Sequence, residues 1–346
     1  MSANLESLLA MPDHAQRAYQ FAKRVEGLPE RERVENIVVI GVGSAGIAGD
    51  VVVAAAGPYM AVPVTVVRSY EVPAFVGEGS LVFALSFSGD SEEVVEAASE
   101  AANRGARVVA VTCGGELGRR AGLWGAPCLR LARELSSGQA AMIAMAVSAL
   151  SMLETIGLFP GASQWVEDAV TQLRERVTEL SEPGNFAESI AEDMAGRTVM
   201  IHAAGALGCA SALRWKTQLN AVAQVPAFWA AQPDVCFHEV AGWGARGFGS
   251  LQPLTDGLMS NCVLINLRHS EEHPQIAQRF EVCDRYLAPY VGAIVEVEAA
   301  GEGELAQVLD LMLIGDYVAM VAAKASGLTG EPAIVLSELR MALAER

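Results

Sequence analysis

The sequence is short of positive charge: 24 Lys and Arg stand against 41 Asp and Glu in 346 residues, a net charge of −17. A field of that sign repels phosphate backbones and anionic lipid, so neither nucleic acid nor membrane is expected as a partner. An anionic ligand would have to be held by local donors acting against the global charge. Paired cysteines are missing too. Cys113, Cys128, Cys209, Cys236, Cys262 and Cys283 lie far apart without a C-x-x-C, which argues for reduced, mostly buried thiols and against a disulfide scaffold. No zinc spacing arises among them and the five histidines, so no metal is expected. The start, Met1-Ser2-Ala3-Asn4-Leu5-Glu6, has neither a basic segment nor an apolar one, so no signal peptide is expected. Gly or charge interrupts the longest apolar runs before about 18 residues, so no membrane-spanning helix is expected and the default location is cytoplasmic.

What is present is a chain that can bury a core. Hydrophobic residues are 52% and charged residues 19%, a globular composition, and the length suits two domains. After an amphipathic lead-in over 12–27, short β-branched runs alternate with helical spacing. Strands are expected at Asn36–Ile40, Val62–Arg68, Leu81–Leu85, Ala106–Thr112 and Pro127–Leu131, with helices at 91–104 and 138–157. That alternation implies a parallel sheet covered on both faces, a doubly wound α/β domain. Residues 159–195 read as a helical connector. A second strand, glycine-rich turn and helix begin at Arg197–His202, and strands at Asn261–Leu267 and Gly292–Val297 and a helix at 303–325 follow. The expected division is therefore 1–158, 159–195 and 196–346, with a final amphipathic helix over about 331–345.

The chemistry-bearing stretch is Ser86-Phe87-Ser88-Gly89-Asp90-Ser91-Glu92-Glu93, which lies between a strand and a helix. Backbone N–H groups at a helix start are unpaired and attract anions, serine hydroxyls add donors, and Gly89 permits close backbone approach. The segment reads either as a phosphate cradle or as an ordinary N-cap supplied by Ser91. Gly41-Val42-Gly43-Ser44-Ala45-Gly46 is a literal G-x-G-x-x-G. A dinucleotide fold would place an acid at the end of the next strand, but Arg68 stands there and Glu71 comes late, which leaves an NADP-binding oxidoreductase as the lesser alternative.

The glycine/serine turn after the first strand and S-x-S-G-x-S after the third resemble the sugar isomerase (SIS) fold. Arg214-Trp215-Lys216-Thr217-Gln218-Leu219-Asn220, Pro233-Asp234 with His238-Glu239-Val240-Ala241-Gly242-Trp243, and Asp316-Tyr317-Val318 resemble segments of the bifunctional phosphoglucose/phosphomannose isomerases. The resemblance implies two SIS domains, a homodimer, no cofactor, and interconversion of glucose or mannose 6-phosphate with fructose 6-phosphate. Such a reaction needs a base to move a proton between C1 and C2 through an enediol, an acid to open the ring, and donors for phosphate. By the resemblance, Gly43, Ser44, Ser86, Ser88, Ser91 and Gln139 fall at substrate- and phosphate-binding positions, Gln139 where the family carries an arginine. Ala221 falls at the base position and Phe237 at that of the ring-opening histidine. His238 and Glu239 are candidate replacements, although neighbours on a strand would point to opposite faces. Arg340 falls where relatives carry a basic residue near the site. A family isomerase with weakened chemistry and a non-catalytic sugar-phosphate sensor both follow from this pattern. His202 reads as a packed or hydrogen-bonded histidine and His14, His269 and His273 as surface; Trp215, Trp229 and Trp243 read as core or dimer packing.

Overall fold

The computed structural model describes residues 3–132, 135, 138–243 and 260–344, except the side chains of a few, Gln139 and Arg340 among them. The chain divides into two compact units: Ser7–Arg174 with Glu302–Ala306, and Met1–Glu6 with Glu175–Gly301 and Gln307–Arg346.

The elements run α1 (Ala3–Leu9), α2 (Met11–Ala22), β1 (Asn36–Ile40), α3 (Ser44–Ala56), β2 (Val64–Val67), β3 (Ser80–Leu85), α4 (Glu92–Asn103), β4 (Arg107–Thr112), α5 (Gly115–Trp124), β5 (Cys128–Arg130) and α6 (Gly138–Ile156). Then follow α7 (Ala162–Ser181), α8 (Phe186–Asp193), β6 (Thr198–Ala204), α9 (Gly205–Gln218), β7 (Ala227–Gln232), α10 (Glu239–Gly242), β8 (Cys262–Arg268), α11 (Pro274–Leu287), β9 (Ala293–Glu298), α12 (Gly303–Ala325) and α13 (Ile334–Ala344).

In the first unit all strands are parallel, in the order β2-β1-β3-β4-β5. β3 is buried along its whole length, as a strand covered on both faces must be, and this is why it reads as a continuous apolar run. Ile40 pairs with Ala84, so the carboxyl ends of β1 and β3 lie side by side. The chain leaves these two neighbours in opposite directions across the sheet, and open α/β sheets take ligands at such a switch point.

The second unit has the order β7-β6-β8-β9, again all parallel, so it repeats the first arrangement with one strand fewer. β7 is not among the expected strands. It is a sheet edge whose Ala227-Phe228-Trp229-Ala230-Ala231-Gln232 lacks β-branched residues, and only Ala227 and Gln232 are buried.

α12 occupies the helix expected at 303–325. It is 23 residues long and apolar enough to cross a membrane, yet 94% of its most apolar stretch is buried within the protein, as in a core helix. Its aspartates are both matched. Asp310 takes both arms of Arg176 at 2.8 and 2.9 Å, and Asp316 takes both arms of Arg214 at 2.8 Å each.

Candidate functional site

At the first switch point the serine turn is held by the loop that follows β4 and by the first turn of α5. Cys113 N–H donates to Phe87 O at 2.9 Å, and Leu117 N–H donates to Gly89 O at 2.8 Å. Asp90 Oδ1 accepts from Glu116 N–H at 2.9 Å. Gly89 has φ +82°, and a Cβ there would stand 2.0 Å from Gly114 O, so no other residue fits without moving the loop.

Inside the turn the hydroxyls serve two directions. Ser86 is buried; its Oγ accepts from Gly89 N–H at 3.1 Å and lies 3.1 Å from Ser91 Oγ. Either hydroxyl can donate in that contact, since Ser86 Oγ keeps a second acceptor site beside the one used by Gly89 N–H. Ser88 is exposed, and its Oγ accepts from Asp90 N–H at 3.2 Å. Ser91 occupies the N-cap position of α4 but makes no side-chain cap, so the simple capping reading is corrected. The first-turn amides of α4 therefore lack the side-chain acceptor that a capping serine would supply.

The neighbouring glycine turn completes this edge. Gly43, at φ +56°, precedes α3, and Ser44 opens that helix half-buried. A Cβ on Gly41 would meet the Ala45 backbone at 2.7 Å, which explains the tight turn without a nucleotide. Arg68, at the position where a dinucleotide fold carries its acid, pairs with Asp50 and donates to Gly46 O at 3.1 Å. Its guanidinium is thus engaged on α3.

The corresponding switch point of the second unit is closed by its own side chains. His269 is buried, with Nε2 3.1 Å from Ala204 O, and it stands beside Gly205 and Gly208. This corrects the expectation of a surface histidine: the partner is the last residue of β6, 65 positions away. Gln307 Oε1 accepts from Ser270 N–H at 2.9 Å and its Nε2 donates to Ser270 Oγ at 2.8 Å, while Glu272 accepts from Arg268. His14 is likewise half-buried rather than on the surface, and burial lowers its pKa.

The proposed reacting residues also fall in the second unit. α9 ends in a π-helical turn, Leu219–Ala223, a form frequent at functional sites. Ala221 sits in it, half-buried, with its carbonyl accepting from Ala333 N–H at 2.8 Å. Phe237 is 74% exposed. His238 and Glu239 are not on a strand, as expected from sequence, but at the junction of a 3₁₀ turn (Asp234–Phe237) with α10, and they diverge. His238 is exposed. Glu239 turns inward, its Oε1 3.0 Å from Nε2 of the wholly buried His202. Trp243 packs against the imidazole at a tilt of 59°, with 5.9 Å between ring centroids. This pair was not foreseen; its partners are 37 positions apart and meet only because β7 lies beside β6. The side chains of Gln139, on α6, and Arg340, on α13, lie outside the described residues.

The other marker residues pack. Arg214 lies against Asp316, Trp215 donates from Nε1 to Leu311 O at 2.7 Å, and Trp243 is buried. The six cysteines are free, but only Cys262 and Cys283 are fully buried, so the expectation of mostly buried thiols is corrected to half-buried for the other four. Among the described residues no three His, Cys, Asp or Glu side chains are grouped to hold a metal ion.

Comparison with known proteins assigns the fold. Residues 32–123 match the SIS domain family, and residues 184–343 match the bacterial phospho-glucose isomerase C-terminal SIS domain. A tagatose-6-phosphate ketose/aldose isomerase from Escherichia coli superposes with a TM-score of 0.63 at 15% identity, covering 94% of each chain. The fold is therefore that of a double-SIS-domain protein. Two sequence relatives narrow this further. A bifunctional phosphoglucose/phosphomannose isomerase from Caldicellulosiruptor bescii is 25% identical over 91% of both chains, and one from Thermoplasma acidophilum is 28% identical over 85% of both. Over most of its length the chain is thus similar to the bifunctional phosphoglucose/phosphomannose isomerases, and segments in both halves match SIS family models.

Proposed function

We propose that the chain is a phosphosugar-binding member of the aldose–ketose isomerases of carbohydrate metabolism. Its ligand is glucose, mannose or fructose 6-phosphate, with the phosphate on Ser86, Ser88 and Ser91 and the amides that open α4, and with Gly43, Ser44 and Gln139 contributing. The observation that carries this reading is the contrast between the two switch points. One presents the Ser88 and Ser91 hydroxyls and an uncapped helix start, while the other is filled by His269, Gln307 and Glu272. The names of the sequence relatives support the sugar class. Exposed Ile334, Leu339, Met341 and Leu343 on α13 support a homodimer, and the family supports a cytoplasmic setting.

Isomerisation by this chain is slow. Alanine at 221 cannot take a proton, and losing a positioned base costs about 10²- to 10⁴-fold. The carboxylate offered instead is Glu239, oriented by His202, with His238 and Arg340 as the accompanying acid and cation. A second reading, a non-catalytic sugar-phosphate sensor, is favoured by one observation: Ala221 and the exposed Phe237 together supply no ionisable group.

Incubation of fructose 6-phosphate with the protein in deuterated buffer, followed by NMR, separates the readings. Deuterium at C1, or formation of an aldose phosphate, supports the slow isomerase. Binding without exchange supports the sensor, and absence of binding overturns both.

A further inference from the structure

Two cysteines far apart in sequence meet in the second unit. Cys236, half-buried in the 3₁₀ turn before α10, and Cys283, buried on α11, have their sulfurs 3.2 Å apart. Gln232 spans both: Cys236 S–H donates to Oε1 at 3.2 Å, and Nε2 donates to Cys283 Sγ at 3.5 Å. With the Cys236 proton on the glutamine, the Cys283 proton is directed at Cys236 Sγ, which closes a small ring of polar contacts. A disulfide needs about 2.05 Å between sulfurs, so closure calls for roughly 1 Å of side-chain movement.

We propose that Cys236 and Cys283 form a thiol pair that hydroperoxides oxidise to an intramolecular disulfide, with Cys236 as the attacked residue and Cys283 as the resolving one. This reading is independent of the sugar-phosphate proposal. In the first step Cys236 sulfur attacks a peroxide oxygen; an S–O bond forms, the O–O bond breaks, and the departing hydroxide takes the thiol proton as water. Cys236 is then a sulfenic acid. In the second step Cys283 sulfur attacks Cys236; the S–S bond forms, the S–O bond breaks, and hydroxide leaves as water with the Cys283 proton. Two thiols and one hydrogen peroxide thus give one disulfide and two waters.

The environments assign the order. Cys236 is partly open to solvent, whereas Cys283 is only 3% exposed. Burial, with the neighbouring Cys236 and Asp284, pushes the Cys283 thiol up to about 12, which keeps it protonated until an electrophilic sulfur lies beside it. Closure acts on the segment that carries Glu239, since Cys236 lies three positions before it in the chain.

The test is to treat the folded full-length protein with hydrogen peroxide, alkylate the remaining thiols under denaturing conditions, and map the peptides. The expected result is a cross-linked pair of peptides bearing Cys236 and Cys283, two hydrogens lighter than the reduced pair and reversed by dithiothreitol. In Cys283→Ser, dimedone should trap a sulfenic acid on Cys236. In Cys236→Ser, Cys283 should resist peroxide at least tenfold better than Cys236 does in the unmodified chain. Circular dichroism establishes that each variant is folded. Over-oxidation of Cys236 while Cys283 is still alkylated, or a cross-link from either residue to another cysteine, overturns the pairing. Equal peroxide sensitivity of Cys283 in Cys236→Ser overturns the order.

Discussion

Arg214 and Asp316 form a two-armed ion pair in which neither side chain reaches solvent, with both contacts at 2.8 Å. Burial pushes the Asp316 carboxyl up, while Arg214 and Gln218 oppose that shift by stabilising its charge. Removing one partner strands a buried charge, which typically costs about 3–5 kcal/mol. Asp316→Ala should therefore lower the stability measured by urea unfolding by that amount. Arg214→Met with Asp316→Leu should cost less than the single change, because no charge is left behind.

The serine turn gives a pair of contrasting variants. Ser88 is exposed and Ser86 buried. Ser88→Ala should weaken fructose 6-phosphate binding by about tenfold or more, the scale of a hydrogen bond to a charged group, with little change in unfolding midpoint. Ser86→Ala should weaken binding and lower the midpoint as well, because Gly89 N–H loses its acceptor. Calorimetric titration and thermal unfolding would separate the two.

Gly89→Ala probes the same turn through the backbone. Its positive φ and the 2.0 Å approach to Gly114 O predict a loss of about 1–3 kcal/mol. Sugar-phosphate affinity should fall with it, although no hydroxyl has been removed. Unchanged affinity in a folded variant would separate the turn from binding.

The Glu239 carboxylate is predicted to carry whatever proton transfer remains. Glu239→Gln should abolish deuterium incorporation into fructose 6-phosphate while sparing affinity. Ala221→Glu with Phe237→His should raise exchange by about 10²-fold or more, the size of the missing base contribution. A rate unmoved by the double change would mean that the π-helical turn no longer presents position 221 to substrate.

Glu154 supplies a pH test in the first unit. Burial raises its pKa, but hydrogen bonds from Tyr19 and Ser163 outweigh burial and hold the carboxyl below its usual value. A depressed folded pKa stabilises the protein above the unfolded pKa, and that stabilisation disappears as pH falls through the folded one. Glu154→Gln should thus cost more stability at pH 7 than at pH 3 in paired urea titrations.

Much of this architecture was legible because buried parallel strands carry long-lived composition signals: Asn36–Ile40 and Leu81–Leu85 are apolar runs closed by glycine or serine turns. What escaped did so for physical reasons. β7 lies at an edge and has no β-branched residue, so its strand character comes from pairing with β6. α5 begins and continues with glycines, and its apolar residues are few. α12 itself was legible as a helix over 303–325; what its sequence hides is that Asp310 and Asp316 are neutralised by arginines from other helices. The candidate phosphate turn could be picked out in sequence because its serines and glycine lie within six positions. The candidate site was illegible at His202 and Glu239, where a long crossover brings the partners together.

The filled second switch point has a consequence for stoichiometry. A chain built from two copies of one sheet order would, with both crevices open, take two ligands. Here His269 occupies the second crevice from within, acting as an internal plug contributed by the loop after β8. The repeat is therefore symmetric in topology and asymmetric in occupancy, and a titration should saturate at one sugar phosphate per chain.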